Sequence, residues 1–272
     1  MNTDRWLTVG LKAVKQAEAV ILKHYHAAES FVESDQKADH TPVTAADREA
    51  EHVIASTLRK AFPDHGVLGE EHGRQGYGNE FEWLVDPIDG TRFFTRKLPF
   101  FGTLLSLRRL RSDDRLETVL GIVHLPMMNK TLFASQGHGT FLNQQQVRVS
   151  SVDTLNQAYV SHSRYKHIVN SRTIKALKRI SRQSLFASSL AVPYSIQLLC
   201  QGRIDAHLEV SPGSLWDTGA MLITVTEAGG MFSDLAGQPF RTTSSAYLAS
   251  NGLVHPQLLK VITGKRSSKG TK

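Results

Sequence analysis

Apolar residues recur at helical spacing from Thr3 to about His26, with Trp6, Leu7, Val14, Ala17, Val20 and Ile21 on one face, so a long amphipathic helix is expected there. A second helix is expected from Thr44, where Thr44-Ala45-Ala46-Asp47 reads as a capping box and Ala50, Val53, Ile54 and Leu58 form the stripe before Pro63. Short apolar runs then predict strands at Val67-Leu68, Trp83 to Val85, Thr103 to Leu107, Val119 to Val123 and Thr131 to Ala134. Gly137 to Asn143 forms a tight turn or hairpin that closes this strand-rich part. Beyond it strands and helices alternate. A strand near Tyr159 to Ser161, a basic helix near Ile174 to Ser181, and a helix over Val192 to Cys200 precede a strand over Ile204 to Leu208. A helix from Trp216 to Ala228 ends at Gly229-Gly230, before a strand at Tyr247 to Ala249 and a helix over Pro256 to Ile262. The pattern predicts an α/β protein: an α+β part over residues 1–150, an α/β part over 151–264, and a site in the cleft where they meet.

Of 272 residues, 40% are hydrophobic and 21% charged, which excludes collagen, coiled coil and wholesale disorder. No apolar run approaches the roughly 18–20 residues of a membrane span, and a secretory signal pattern is lacking, so the cytoplasm is the expected location. The lone Cys200, in Ile196-Gln197-Leu198-Leu199-Cys200, cannot pair within the chain and reads as a buried helical thiol. The net charge of +7 first suggests nucleic acid, yet residues 265–272 carry four basic side chains and no acid, which leaves about +3 for the rest. Those residues are expected to be a disordered, solvated tail, and the mildly basic body suits an anionic substrate.

The chemistry concentrates in Trp83-Leu84-Val85-Asp86-Pro87-Ile88-Asp89-Gly90-Thr91. An apolar strand is expected to run out at Asp86, and Pro87 and Gly90 then turn the chain so that Asp86 and Asp89 face one point. Such a pair either holds a hard divalent cation such as Mg²⁺, with the Ile88 carbonyl as a further oxygen, or merely caps turns. Gly90 permits close approach of a ligand, and the Gly90 and Thr91 N–H groups are placed to hold a phosphate oxygen. Further acids stand at Glu70 and Glu71, after a short strand, and at Asp217, at the start of a helix where it also suits the dipole. Asp47 has its capping role.

Several ordered motifs resemble the inositol monophosphatase superfamily of Mg²⁺-dependent phosphomonoesterases. They are Lys37 to Asp47, Gly69-Glu70-Glu71, Asp86-Pro87-Ile88-Asp89-Gly90-Thr91, and Trp216-Asp217-Thr218-Gly219-Ala220 with Glu227-Ala228-Gly229-Gly230; Gly219 stands where that family usually has alanine. The resemblance implies a layered αβαβα sandwich and a homodimer. It implies that Glu70, Asp86 and the Ile88 carbonyl hold one Mg²⁺, that Asp86, Asp89 and Asp217 hold a second, and that Glu70 helps with a weaker third. Thr91, paired with Asp47 and assisted by Glu70, would orient and deprotonate the attacking water. No phosphoenzyme is needed, so Cys200 and the twelve histidines are not required as nucleophiles; His24, His52 and His124 are assigned packing or surface roles.

Within the superfamily, Asp86 to Leu107, with Leu98-Pro99 before Phe101-Gly102-Thr103-Leu104, resembles the histidinol-phosphatase branch most, which implies histidinol phosphate as substrate. Its ammonium group calls for a carboxylate, and Glu209 or Asp205 are the candidates. The neutral Ser188 and Ser189 suit hydroxyl-rich esters, so inositol 1-phosphate or another sugar phosphate is the alternative, with nucleotide 3′-phosphates behind it. A non-catalytic regulator binding RNA or a protein through Arg172 to Arg179 and the tail is a further reading, opposed by the full set of metal-ligand residues.

Overall fold

The computed structural model describes residues 3–27, 29–37, 42–163, 171–210, 213–244 and 246–264. Residues 38–41 of the first motif and the expected tail, 265–272, lie outside the described residues. Helix α1 (Thr3–Ala27) precedes a short antiparallel ladder of β1 (Asp35–Gln36) and β2 (Pro42–Val43), then α2 (Ala45–Ala61). Thr44 starts α2 as expected: its hydroxyl accepts from the Asp47 N–H, and the Asp47 carboxylate accepts from the Thr44 N–H at 2.8 Å.

Strands β3 (Gly66–Gly69), β4 (Gly73–Gln75), β5 (Phe81–Asp89), β6 (Gly102–Arg109), β7 (Glu117–Leu125), β8 (Lys130–Ser135), β9 (Gly139–Leu142) and β10 (Gln145–Val147) form one sheet in the order β10-β9-β8-β7-β6-β5-β3-β4, with the short helix α3 (Thr91–Thr95) between β5 and β6. The remaining elements are β11 (Tyr159–His162), α4 (Ser171–Gln183), β12 (Phe186–Ser189), α5 (Val192–Cys200), β13 (Ala206–Glu209), α6 (Leu215–Glu227), β14 (Met231–Ser233), β15 (Tyr247–Ser250) and α7 (His255–Thr263). Their strands form a second sheet in the order β12-β11-β13-β15-β14.

Alternation along the central strands assigns each face a partner layer. Trp83 and Val85 of β5 and Leu105 and Leu107 of β6 bury against α1 and α2. Leu84 and Leu104 point the other way, into a core completed by Ile196 and Leu199 of α5, Met221 and Val225 of α6, and Tyr247 and Ala249 of the second sheet. A third core joins Val160, Leu208 and Leu248 to Ile180 of α4 and Leu258 of α7. The order is therefore helices, sheet, helices, sheet, helices, the expected αβαβα sandwich. No helix among the described residues is long and apolar enough to cross a membrane.

Several expected boundaries move, two of them for a clear physical reason. β5 does not run out at Asp86 but continues to Asp89 through a bulge: Asp86 pairs with Leu104 and Asp89 with Gly102, so Pro87 and Ile88 together face Thr103. Pro87 has no N–H to give the ladder, and the Thr103 hydroxyl instead donates to its carbonyl at 2.8 Å. The strand expected over Ile204 to Leu208 starts at Ala206, because the Asp205 carboxylate takes the Tyr159 N–H at 2.7 Å and the Ser150 hydroxyl and holds a bend.

Helix α6 lies unusually close to the first sheet. A Cβ at Gly121 of β7 would stand 2.8 Å from the Ala220 carbonyl oxygen. One at Gly219 would run into the Ser106 hydroxyl, which is buried and has no hydrogen-bond partner among the described residues. Gly219 in place of alanine is thus matched by Ser106 across the interface. Gly219→Ala should destabilise by about 1–2 kcal/mol in urea unfolding, and in a Ser106→Ala background the penalty should shrink; additive effects would refute this pairing.

His255 sits between Ser250 and Ser233, with Nδ1 and Nε2 hydrogen-bonded to their hydroxyls at 2.8 and 2.9 Å. Burial pushes it down to about 4, from an ordinary value of 6.5. The unfolded chain takes up this proton near 6.5 and the folded chain only near 4, so the stability is complete above 6.5 and is lost as pH falls through that window. His255→Gln should flatten the pH dependence of urea unfolding between 6.5 and 4 by about one proton; an unchanged slope would contradict the assignment.

Candidate active site

The parallel pairing of β3 with β5 sets Gly69 beside Val85, so Glu70, just past the end of β3, comes alongside Asp86 within β5. The Glu70 N–H donates to the Val85 carbonyl at 3.1 Å, holding Glu70 against Asp86. Asp86 is 2% exposed, and its Oδ1 has no hydrogen-bond partner among the described residues. Asp217 arrives from the other half of the sequence as the third residue of α6, where its carboxylate also accepts the Ser214 N–H at 2.7 Å and completes a capping box. Carboxylate oxygens of Glu70, Asp86 and Asp217 all lie within 4.8 Å of one another.

Such crowding is electrostatically unfavourable. Burial first, then the charges of Glu70, Asp89, Asp217 and Asp47, push the Asp86 carboxyl far above its usual range. After the bulge, Gly90 adopts φ +90°, a left-handed conformation that L side chains rarely adopt, and α3 begins at Thr91. The Thr91 hydroxyl is 3.0 Å from the Ile88 carbonyl and 3.5 Å from Asp47 Oδ1. Asp47 Oδ2 accepts the Thr44 hydroxyl at 2.5 Å. Burial raises Asp47 to about 7, against the lowering effect of the Thr44 hydrogen bonds.

Two supporting residues were not assigned from sequence. Lys37, quoted only as the start of a motif, donates to both Glu70 and Glu71 at 2.6 Å. Burial opposes its charge, but the bonds to Glu70 and Glu71 outweigh this and push the ammonium above its ordinary value. Glu51, fully buried, accepts the N–H groups of Glu71 and His72 at 2.7 and 2.9 Å and so fixes the turn that carries Glu70. The signal was available: Glu51 lies one helical turn after Asp47, on the same face of α2.

The acidic cluster opens into a cavity of about 560 Å³ that Glu209 and Tyr247 also line. A second cavity of about 440 Å³, bordered by Ser189, shares Asp89, Gly90, Phe93 and Val192 with it. Asp205 lines neither; its carboxylate serves the bend described above, which leaves Glu209 as the acid facing the cavity. Ser188 hydrogen-bonds with the Tyr159 hydroxyl at 3.1 Å. Cys200 is buried in α5 and donates weakly to the Thr224 carbonyl at 3.4 Å, and burial raises its thiol far above its usual range, so it is inert as a nucleophile. His24 pairs with Glu49 at the surface, and His124 packs beside Thr131 and Glu18.

Comparison with known proteins agrees with this geometry. The sequence matches the inositol monophosphatase family over residues 2–269. A fructose-1,6-bisphosphatase/inositol-1-monophosphatase of Thermotoga maritima is 35% identical over 222 residues, covering 81% of this chain and 82% of that one. A histidinol-phosphatase of Streptomyces coelicolor is 32% identical over 248 residues, covering 89% and 91%. The solved structure of an inositol monophosphatase of Thermotoga maritima superposes with a TM-score of 0.83 at 30% identity, over 95% of this chain and 96% of that one. A match that spans nearly the whole sequence, joined to relatives that are phosphatases, makes this chain a phosphatase of the inositol monophosphatase family.

Proposed function

We propose that the chain is a Mg²⁺-dependent phosphomonoesterase whose substrate is histidinol phosphate. The observation that carries the metal reading is the convergence of Glu70, Asp86 and Asp217 oxygens, together with the buried, unpartnered Oδ1 of Asp86. The cluster offers only oxygen donors, which suits a hard cation such as Mg²⁺. In this reading Glu70, Asp86 and the Ile88 carbonyl hold one ion, Asp86, Asp89 and Asp217 a second, and Glu70 contributes to a third. When bound, the ions supply charge neutralisation at the phosphoryl oxygens and lower the pKa of water at the site.

The chain's own groups do the rest. Thr91 lends its proton toward Asp47 or the Ile88 carbonyl, which leaves an oxygen lone pair to receive and orient a water; Glu70 stands by as a second acceptor. Asp47, raised to about 7 by burial, is suited to take a proton near neutrality. The Gly90 and Thr91 N–H groups hold a phosphate oxygen. Residues 1–150 thus supply most of the metal ligands, and residues 151–264 supply Asp217 and substrate contacts such as Glu209 and Ser189.

Histidinol phosphate carries an ammonium. Glu209, a buried carboxylate on the same cavity as the acidic cluster, is suited to receive it, with Ser189 at the neighbouring border. The Streptomyces coelicolor relative named as a histidinol-phosphatase supports the same choice. Phosphate release from histidinol phosphate, compared with inositol 1-phosphate and adenosine 3′,5′-bisphosphate in Mg²⁺ or chelator, tests it: a Mg²⁺-dependent preference for histidinol phosphate is expected, and a preference for either competitor would overturn that substrate.

Asp86→Asn should lower kcat by at least about 10³-fold and weaken Mg²⁺ binding in calorimetry. In chelator its melting temperature near neutral pH should instead rise. A raised folded-state pKa stabilises at low pH and is unfavourable as pH climbs, and the amide removes that burden. Near-normal turnover would remove Asp86 from the mechanism. For Asp47, kcat should fall as the pH drops through a limb at or below about 7, since the protonated carboxyl cannot take a further proton. Asp47→Asn should abolish that limb and lower kcat by about 10²-fold; a pH profile identical to the wild type would exclude the proton-accepting role.

A further inference from the structure

The second cavity differs in chemistry from the acidic one. Phe93, Phe100, Leu190, Val192, Pro193 and Tyr194 wall it, and no lysine or arginine lines it among the described residues. Phe93 and Phe100 meet edge-on with ring centroids 6.1 Å apart, and Phe100 and Tyr194 are tilted at 6.0 Å, spacings at which aromatic groups attract. Against this apolar wall stands one anomaly. Ser163, immediately after β11, lines the cavity at 2% exposure; its backbone N–H donates to the Leu208 carbonyl at 3.1 Å, yet its hydroxyl has no hydrogen-bond partner among the described residues. A buried hydroxyl without a partner is unfavourable, and it is relieved if a ligand atom completes it.

We propose that this cavity seats the alcohol half of the phosphate ester as a flat heteroaromatic ring, held between Phe93, Phe100 and Tyr194 and recognised through one polar ring atom by the Ser163 hydroxyl. Ser163 is then a specificity-determining residue. A polyol here would meet only Asp89, Ser163, Ser189 and the Tyr194 hydroxyl as polar side-chain groups among the described lining residues, and its remaining hydroxyls would lie against apolar walls. A second phosphate would find the Asp89 carboxylate at the cavity's border and no cation among the described lining residues. The shared border at Asp89, Gly90 and Phe93 lets one molecule reach both cavities, its phosphate at the acidic cluster and its ring in the aromatic slot.

The inference rests on the phosphomonoesterase reading, and the test separates the two. The Mg²⁺-loaded enzyme is assayed on histidinol phosphate, on phenylalaninol phosphate, which has the same amino-alcohol phosphate but no polar ring atom, and on inositol 1-phosphate. Wild type should prefer histidinol phosphate over phenylalaninol phosphate by about tenfold or more in kcat/KM, the scale of one buried hydrogen bond. Ser163→Ala should bring that ratio near unity, and Ser163→Thr, which keeps the hydroxyl, should retain it. Phe100→Ala should raise KM for both ring esters more than it lowers kcat. Wild-type ratios are informative even if a variant fails to fold. No preference between the ring esters, or a preference for inositol 1-phosphate over both, overturns the ring slot while leaving the phosphatase reading intact. Mg²⁺-independent turnover, or none on any of these esters, overturns the Mg²⁺-dependent phosphomonoesterase reading on which the slot rests.

Discussion

Carboxylates that share a buried space repel one another, and gathering Glu70, Asp86 and Asp217 within 4.8 Å is the constraint around which the rest of this structure is organised. Each acid is brought in by an element stable for other reasons. Asp86 rides on a strand buried from Phe81 to Ile88, Glu70 follows a strand paired parallel to it, and Asp217 caps a helix that is itself wedged into the core. The repulsion is therefore borne by the three cores of the sandwich, not by the site.

The local supports follow the same logic. Backbone N–H groups neutralise what they can: Glu51 is held by two of them and Asp217 by one. Lys37 adds a positive charge between Glu70 and Glu71. Asp86 Oδ1 has no such partner among the described residues, and burial and the neighbouring acids push its carboxyl far above its usual range. Close approach is equally necessary. Gly121 and Gly219 remove the side chains that would hold α6 away from the sheet, since a Cβ at either would meet atoms across that interface.

Chemistry and selectivity occupy neighbouring but different surroundings. The acidic cavity is polar and open to a charged group, whereas the adjoining slot is aromatic with one buried hydroxyl. Their common border at Asp89 and Gly90 lies at the bulge of β5, so a single backbone irregularity both turns the proposed metal ligands and shapes the mouth of the slot.

Much of this was legible along the chain because it depends on local chemistry. The period of apolar residues marked α1 and the central strands, Thr44 with Asp47 announced α2, and the ordered acidic motifs carried the family and the acid cluster. What was not legible depends on partners distant in sequence. The continuation of β5 through Asp86 comes from pairing with β6 across a bulge, and the edge strand β12 forms only by pairing with β11. Asp205 and Glu209 look alike as acids four residues apart, and only the bend at Ser150 and Tyr159 turns one into a support while the other faces the cavity. Composition and motif determined the kind of chemistry, since oxygen donors and glycine turns have the same properties wherever they fold. Packing decided which groups meet, because a carboxylate, a hydroxyl or a ring acquires its role from what is buried beside it.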